Sequence, residues 1–556
     1  MTSPNYPNNP TVGQTFNVGN ITFRYDGEKW KSIAPANHEN RITQNELDIV
    51  ELSREHDFDT VAEMQAATDI VVGDNVILRD RLSSTWQVIA ATTNNGWNVL
   101  DGTGSGVSLR LIIKSTLSTK EWGILHDNSS DNSTALQAMI DYGIANDIPI
   151  DIDVGTRARY FYTLNITGKL TVKGYGELNF HPQSSGQAGL LATGDEVELY
   201  DFKHSNTMAS ANSETIRFED ANDYKLYNLE VTGGHYGLSF ANTVDDYTVN
   251  KNGSVANCSA ISCTSSGFDF DQSSSLRLHG CRAEGCSTDG FKFRQSNKHA
   301  TVTGNTAVGC GRDGFDTYDG LIESTLSNNT SEGNTLQGFE IKGTFDGTNY
   351  VTRGNCIANN VAINNGTDGF LVQSVRDCVF SGNQSISNAL RGFHINEVQG
   401  TTFNGDTAQK NTQHGWLFTN ASRCELNGCV AVNNSWVDGV TQNGTYHGFQ
   451  LEAPADGLGF NGCRALNGLV TNQKGGQGYG INFVVGSAAN RIIGGRYDDN
   501  VTGDFGGDKA SQGFLMLDAS LRPVFGDWTT NGDVAIQGYV TIVDQTGTTR
   551  KLATIA

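Results

Sequence analysis

Basic residues are scarce in this chain. Against 60 Asp and Glu it has 38 Lys and Arg, for a formal charge of −22. That balance argues against nucleic acid as a partner, whose phosphate backbone demands a basic surface. It also implies a soluble chain that repels polyanions unless a local basic patch reverses the field. Proline is rare, at 8 residues, and charged residues make up only 18%. With 65 Gly and abundant Asn, Ser and Thr, the composition is that of a turn-rich β protein rather than a helical one. No apolar run is long enough to cross a membrane. The opening MTSPNYPNNP has neither a basic nor an apolar signal region, so neither insertion nor secretion is expected.

Cysteine is missing from the first 257 residues and again after Cys463. Ten cysteines crowded between Cys258 and Cys463 invite a disulfide framework, but their placement within a repeat argues otherwise.

That repeat is a Gly-aromatic pair: Gly267-Phe268, Gly290-Phe291, Gly314-Phe315, Gly338-Phe339, Gly369-Phe370, Gly392-Phe393, Gly415-Trp416 and Gly448-Phe449. Successive glycines are 23, 24, 24, 31, 23, 23 and 33 residues apart. The short spacings are single solenoid turns, and the long ones are turns carrying loops. Four residues before the glycines stand Cys263, Cys286, Cys310, Asn334, Asn365, Asn388 and Asn411. A column that accepts Cys or Asn wants a small side chain stacked on its copy in the next turn. The cysteines are therefore expected to be reduced ladder residues, and the fold an all-β parallel β-helix over about residues 107–505.

Upstream, SSDNSTALQAMIDYGIANDIPI reads as an amphipathic helix over about 131–146, with Leu136, Met139, Ile140 and Ile144 on one face and Ser or Asp caps before it. It would plug the open end of the solenoid, whose exposed strands would otherwise invite aggregation. Residues 1–35 form a small unit closing at the turn Asp26-Gly27. A neck over 36–106 starts with Ile42, Ile49, Leu52 and His56 at heptad spacing, so a short coiled coil is possible there. Residues 506–556 end in DVAIQGYVTIVDQTGTTRKLATIA, an alternating pattern around Gln545-Thr546-Gly547 that predicts a terminal β-hairpin tip.

At this point the layout resembles a bacteriophage tailspike, a polysaccharide depolymerase with a pectate-lyase-like right-handed β-helix. PNNPTVGQTFNVGNITFRYDGEKWKSIAP is similar to virion-attachment segments, TVAEMQAATDIVVGDNVILRD resembles the small domain preceding a depolymerase body, and EWGILHDNSSDNSTALQAMIDYGIANDIPIDID looks like the start of such a helix. The resemblance covers nearly the whole chain. It implies a homotrimer made in the host cytoplasm, fixed to the phage tail or baseplate by its N-terminus, that binds and cleaves capsule, O-antigen or exopolysaccharide at the host surface. Tailspike catalytic residues follow no shared motif, so the site has to be read from the columns.

After each Gly the strand alternates, with the first and third following residues facing inward. Two after the Gly come Asp269, Lys292, Asp316, Glu340, Leu371, His394, Leu417 and Gln450. Four after it come Asp271, Arg294, Tyr318, Lys342, Gln373, Asn396, Thr419 and Glu452. Glycoside hydrolysis needs two carboxyls, about 5 Å apart for retention and about 6.5–9.5 Å for inversion. With equivalent positions on adjacent turns about 4.8 Å apart, Glu340 is the expected acid and Asp316 the nucleophile or base, with Asp269 an alternative partner two turns away. Asp271, Lys292, Arg294, Tyr318, Asp319, Lys342 and His394 then line the substrate, and Trp436 and Tyr446, in an inserted loop, offer aromatic faces to sugars.

The plainer alternative is a solvated charge ladder, in which Asp269 and Asp316 merely pair with Lys292; His394 reads as structural, and the loop aromatics as packing between subunits. A lyase would use the same wall differently, with Arg294 or Lys292 neutralising a uronate and Tyr318, His394 or Lys342 taking the proton. A non-catalytic receptor-binding fibre and a purely structural virion protein are further readings. No cofactor is expected. The histidines lack metal-ligand spacing, Tyr497-Asp498-Asp499-Asn500 is as good a turn as a metal loop, and Gly475-Gly476-Gln477-Gly478-Tyr479-Gly480 lacks the Lys and helix of a phosphate loop.

Overall fold

The computed structural model describes residues 10–18, 21–25, 30–33, 55–79, 84–90, 92, 99–102, 107–113, 115–207, 213–243, 250–295, 297–344, 351–437, 441–442, 444–467, 476–487, 489–497, 499–507, 513–515, 536–543 and 549–555. The chain divides into two compact units, Met1–Ile112 and Ile113–Ala556.

The first unit holds two sheets. Thr15–Val18, Ile21–Tyr25 and Trp30–Ile33 make an antiparallel meander. Its Asp26-Gly27 turn lies outside the described residues. A five-stranded sheet runs in the order Glu55–Phe58, Asn75–Leu78, Ser84–Ala90, Val107–Leu111, Val99–Gly102. Its short helix Val61–Ala66 starts with a capping box, in which Thr60 and Glu63 each take the other's backbone N–H. Ile42, Ile49 and Leu52 lie outside the described residues, but His56 sits in the strand Glu55–Phe58, not on a coiled coil. Val107–Leu111 pairs with Ser84–Ala90, so the solenoid starts later than residue 107, at Leu117–Ser118.

The second unit is a three-sided parallel β-solenoid. Its first sheet has 16 strands from Leu117–Ser118 to Gly513–Leu515, its second 13 from Arg157–Tyr160 to Arg464–Leu466, and its third 14 from Leu164–Ile166 to Gly503–Gly507. The third sheet keeps the sequence columns in register, Phe268 beside Phe291 and Asp269 beside Lys292. The inward aromatics stack as one file. Ring centroids from Phe291 through Phe315, Phe339 and Phe370 to Phe393 are 4.7–4.8 Å apart, and each ring is fully buried, contributing roughly 1.5–3 kcal/mol.

The corner before each aromatic needs glycine because chains approach closely there. A Cβ on Gly290 would lie 2.7 Å from both the Ala307 Cβ and the Gly314 carbonyl oxygen.

All ten cysteines are free, nine of them buried. The Cys/Asn column is a hydrogen-bonded file: the Asn334 amide donates to Asn365, Asn365 to Asn388, Asn388 to Asn411 and Asn411 to Asn434, at 2.9–3.0 Å. A second file runs Asn305, Asn329, Asn360, Asn383, Asp406. Buried polar side chains are thereby paired along the axis rather than left to desolvation.

The plug is the helix Ser133–Asn146, which buries Leu136, Met139 and Ile140 over the first rungs, with Ile144 at the margin of that face. Its N-cap is Asn132, whose side chain bonds Leu125 and Arg159 instead of the helix. Asp131 accepts the Ser133 amide at 2.9 Å. At the far end Ile536–Val543 and Thr549–Ile555 pair antiparallel, and Gln545-Thr546-Gly547 lies outside the described residues. No described helix is long and apolar enough to cross a membrane.

Candidate functional site

The third sheet carries a charged wall. Asp269, Lys292, Asp316 and Glu340 follow one another in the outward column on consecutive strands, and Leu371 and His394 continue it. At Asp316 the strand stops. Neighbouring rungs run four residues, but this one is only Phe315–Asp316, because the Asp316 carboxylate accepts the Tyr318 N–H at 2.9 Å and turns the chain, a local competition Asp offers readily. Gly320 closes the turn onto the Thr317 carbonyl at 2.9 Å. The turn places Tyr318 at the surface, 44% exposed, with the Lys342 ammonium 5.1 Å from its ring centre. Tyr318 therefore belongs to a turn rather than to a strand column, and Asp319 shares that turn, its N–H donating to the Lys342 carbonyl.

A second outward file lies immediately before the repeated glycines and was not read from the sequence: Asp289, Asp313, Gln337, Asp368, Arg391 and His414. Counting period-two alternation back across the Gly puts this position inside. The Gly corner breaks the alternation, since a Cβ at Gly290 would point at core Ala307, so the Gly and the following aromatic both face inward and the residue before them faces out. A search for columns before the glycine, as well as after it, would have found the file.

The two files interlock. The Lys292 ammonium is 3.0 Å from Asp289 and 3.0 Å from Asp316. Arg312 lies 3.4 Å from Asp313 and 3.9 Å from Asp289. Arg294 grips both oxygens of Asp269 and approaches Asp271 at 3.9 Å. The expected Asp269–Lys292 pair does not form, and Asp269, fully buried under Arg294, is tied into an ion pair. Lys342 is 3.7 Å from Glu340. His394, half-buried, sits 3.3 Å from Asp368, which Arg391 also holds at 2.7 and 3.0 Å.

These acids are not equivalent. Burial pushes Glu340 up to about 7, aided by the charge of Asp316, while Lys342 pulls it down. Burial and the nearby charges of Glu340 and Asp289 push Asp313 up to about 8. Burial also raises Asp289 and Asp269, against the pull of Lys292 and Arg294 respectively. For Asp368 burial is overcome by His394 and Arg391, which hold it below the usual carboxylate range. The wall thus sets a carboxyl that keeps its proton near neutrality, Glu340, against an acid, Asp316, with an ammonium at 3.0 Å.

Carboxylate oxygens of Asp289, Asp313 and Asp316 all lie within 4.8 Å of one another, a grouping that the sequence reading, which named no metal ligands, did not register. Two side-chain cations already serve them, Lys292 at Asp289 and Asp316 and Arg312 at Asp313 and Asp289. Trp436 and Tyr446 are not brought to the acids. Tyr446 packs edge-on to His414 at 5.0 Å just before Gly448, four rungs past Glu340 or about 19 Å along the axis. Trp436 lies in a two-residue strand paired with Thr441–Gln442, beneath Lys410 at 5.5 Å.

The family model for the right-handed beta helix region matches residues 189–357, and no curated protein matches the chain in sequence. Among solved structures, tailspike protein 3 of bacteriophage CBA120 is similar at 11% identity and a TM-score of 0.52, over 97% of this chain and 81% of that one. The Dettilon tailspike protein matches at 13% identity and 0.45, over 76% and 72%. The A-module of the Azotobacter vinelandii mannuronan C-5 epimerase AlgE4 matches at 14% and 0.40, over 72% and 98%. The chain is a right-handed parallel β-helix. Phage tailspikes are among the proteins that share this fold with it.

Proposed function

We propose that the protein is a phage tailspike that binds a bacterial surface polysaccharide along the third sheet and cuts it by endo-glycosidic hydrolysis. The observation that carries this is the Asp316–Glu340 pair: two carboxyls on adjacent rungs, with Glu340 held up to about 7 by burial and by the charge of Asp316. A glycosidase needs one acid still protonated at neutral pH beside a second carboxyl. Glu340 is the general acid and Asp316 the nucleophile. Adjacent rungs, about 4.8 Å apart, suit the shorter, retaining separation. Tyr318, exposed beside Lys342, gives a sugar an apolar face. Attachment to the phage tail through the N-terminal unit and assembly as a homotrimer are part of the same reading.

The test is to incubate the full chain and an Asp316→Asn/Glu340→Gln variant with host surface polysaccharide, following chain length, reducing ends and the absorbance of unsaturated uronate. Shortening with new reducing ends, lost in the variant, is the expected result. Unsaturated ends would make the enzyme a lyase, and binding without shortening would leave a receptor-binding fibre.

A further inference from the structure

The cations of the wall are already engaged. On the acid-bearing rungs, Lys292 bridges Asp289 and Asp316, Arg294 covers Asp269, Arg312 lies against Asp313 and Asp289, and Lys342 faces Glu340. One rung group earlier, Arg217 pairs with Glu214 at 3.2 Å and Glu219 at 2.6 Å. One later, Arg391 is held by Asp368. Against these six cations stand nine acids, the eight just named and Asp271.

We propose that the sugar seated against this wall carries no negative charge, so that the polymer is a neutral polysaccharide of hexose, deoxyhexose or N-acetylated amino-sugar residues. The inference rests on the reading of the wall as a glycan site. A uronate, sialate or phosphate needs a cation to replace its water. Taking Lys292 for that purpose would strip the counter-charge from two buried carboxylates at once, Asp289 and Asp316, and taking Arg294 would do the same to Asp269. With Glu340 and Asp313 keeping their protons near neutrality, the remaining seven acids still face six cations, so no cation is spare for an added anion. Neutral hydroxyls and acetamido groups meet no such barrier, since carboxylate oxygens accept their hydrogen bonds. The same arrangement works against β-elimination, which begins by neutralising a uronate carboxylate.

The experiment presents the full chain with immobilised polymers in matched pairs, such as polygalacturonate and its carboxyl-reduced galactan, alginate and its reduced form, and a panel of neutral glucans, galactans and rhamnans, at low and high salt. Retention is expected for neutral members and to be insensitive to salt. Acidic members should bind at least about tenfold more weakly, with binding that rises as salt screens the repulsion. An acidic polymer retained as tightly as its neutral partner, with retention falling as salt rises, would overturn the inference. Chain length of the retained polymers is read separately: a neutral polymer held but never shortened would sink the hydrolase while leaving the charge rule in place.

Discussion

Lys292 lies 3.0 Å from Asp289 and 3.0 Å from Asp316, so a single ammonium joins a residue before a repeated glycine to one after the next. Both acids are buried, at 0% and 1% exposure. Lys292→Met should leave them facing each other without a counter-charge, and breaking such a pair typically costs about 3–5 kcal/mol, toward the lower end here because Lys292 remains partly solvated. Denaturant unfolding should show the loss growing from acid to neutral pH, as Asp289, raised by burial, ionises. A midpoint unchanged at neutral pH would mean that the bridge adds nothing.

Activity should fall as pH rises through about 7, the value to which burial and Asp316 push Glu340, since the general acid must keep its proton. The limb belongs to the coupled pair rather than to one residue. Lys342 pulls Glu340 down, so Lys342→Gln should move the basic limb of kcat/KM to higher pH. An unmoved limb would separate Lys342 from the titrating group.

Asp406 ends an asparagine file with one oxygen accepting both the Asn383 backbone and side-chain N–H at 2.7 Å and the other without a partner among the described residues. Burial raises it to about 7, against the pull of those N–H groups. A carboxyl with a raised folded pKa is favourable while protonated in both states. Its cost enters as pH rises past the unfolded value of about 4 and is complete above about 7. Asp406→Asn should therefore stabilise the protein by roughly 2–4 kcal/mol at pH 8 and hardly at all at pH 4. Equal effects at both pH values would show that the acid is not protonated when folded.

Of ten free thiols only Cys356 is exposed. A thiol reagent should label one site quickly in the native protein and the other nine only on unfolding. Rapid labelling of several would mean that the ladder columns open.

The solenoid was legible because its inward positions are chemically narrow. Gly267-Phe268 and its copies repeat every 23 or 24 residues, and Cys263 and Asn334 share a column that tolerates little else. The acids two residues after the glycines were legible because they keep a fixed place in that frame, and Asp316 and Glu340 do meet on adjacent rungs. Asp289 and Asp313 escaped because the corner reverses the alternation on which the reading relied. Pairing escaped as well: a column says which residues are neighbours but not that Arg294 outcompetes Lys292 for Asp269, which depends on how far each side chain reaches across strands. Loop residues such as Tyr446 carry no period at all, so their distance from the acids had no sequence signal.

The asparagine files have a direction. In each, the side-chain amide donates toward the following rung and accepts from the preceding one, so the amide dipoles add head to tail along the axis and polarise one another. The solenoid thereby has a one-way grain. A turn duplicated or deleted within a file fits only if it brings one amide in the same orientation, and evolution could lengthen or shorten the wall in whole rungs while the loops between them vary freely.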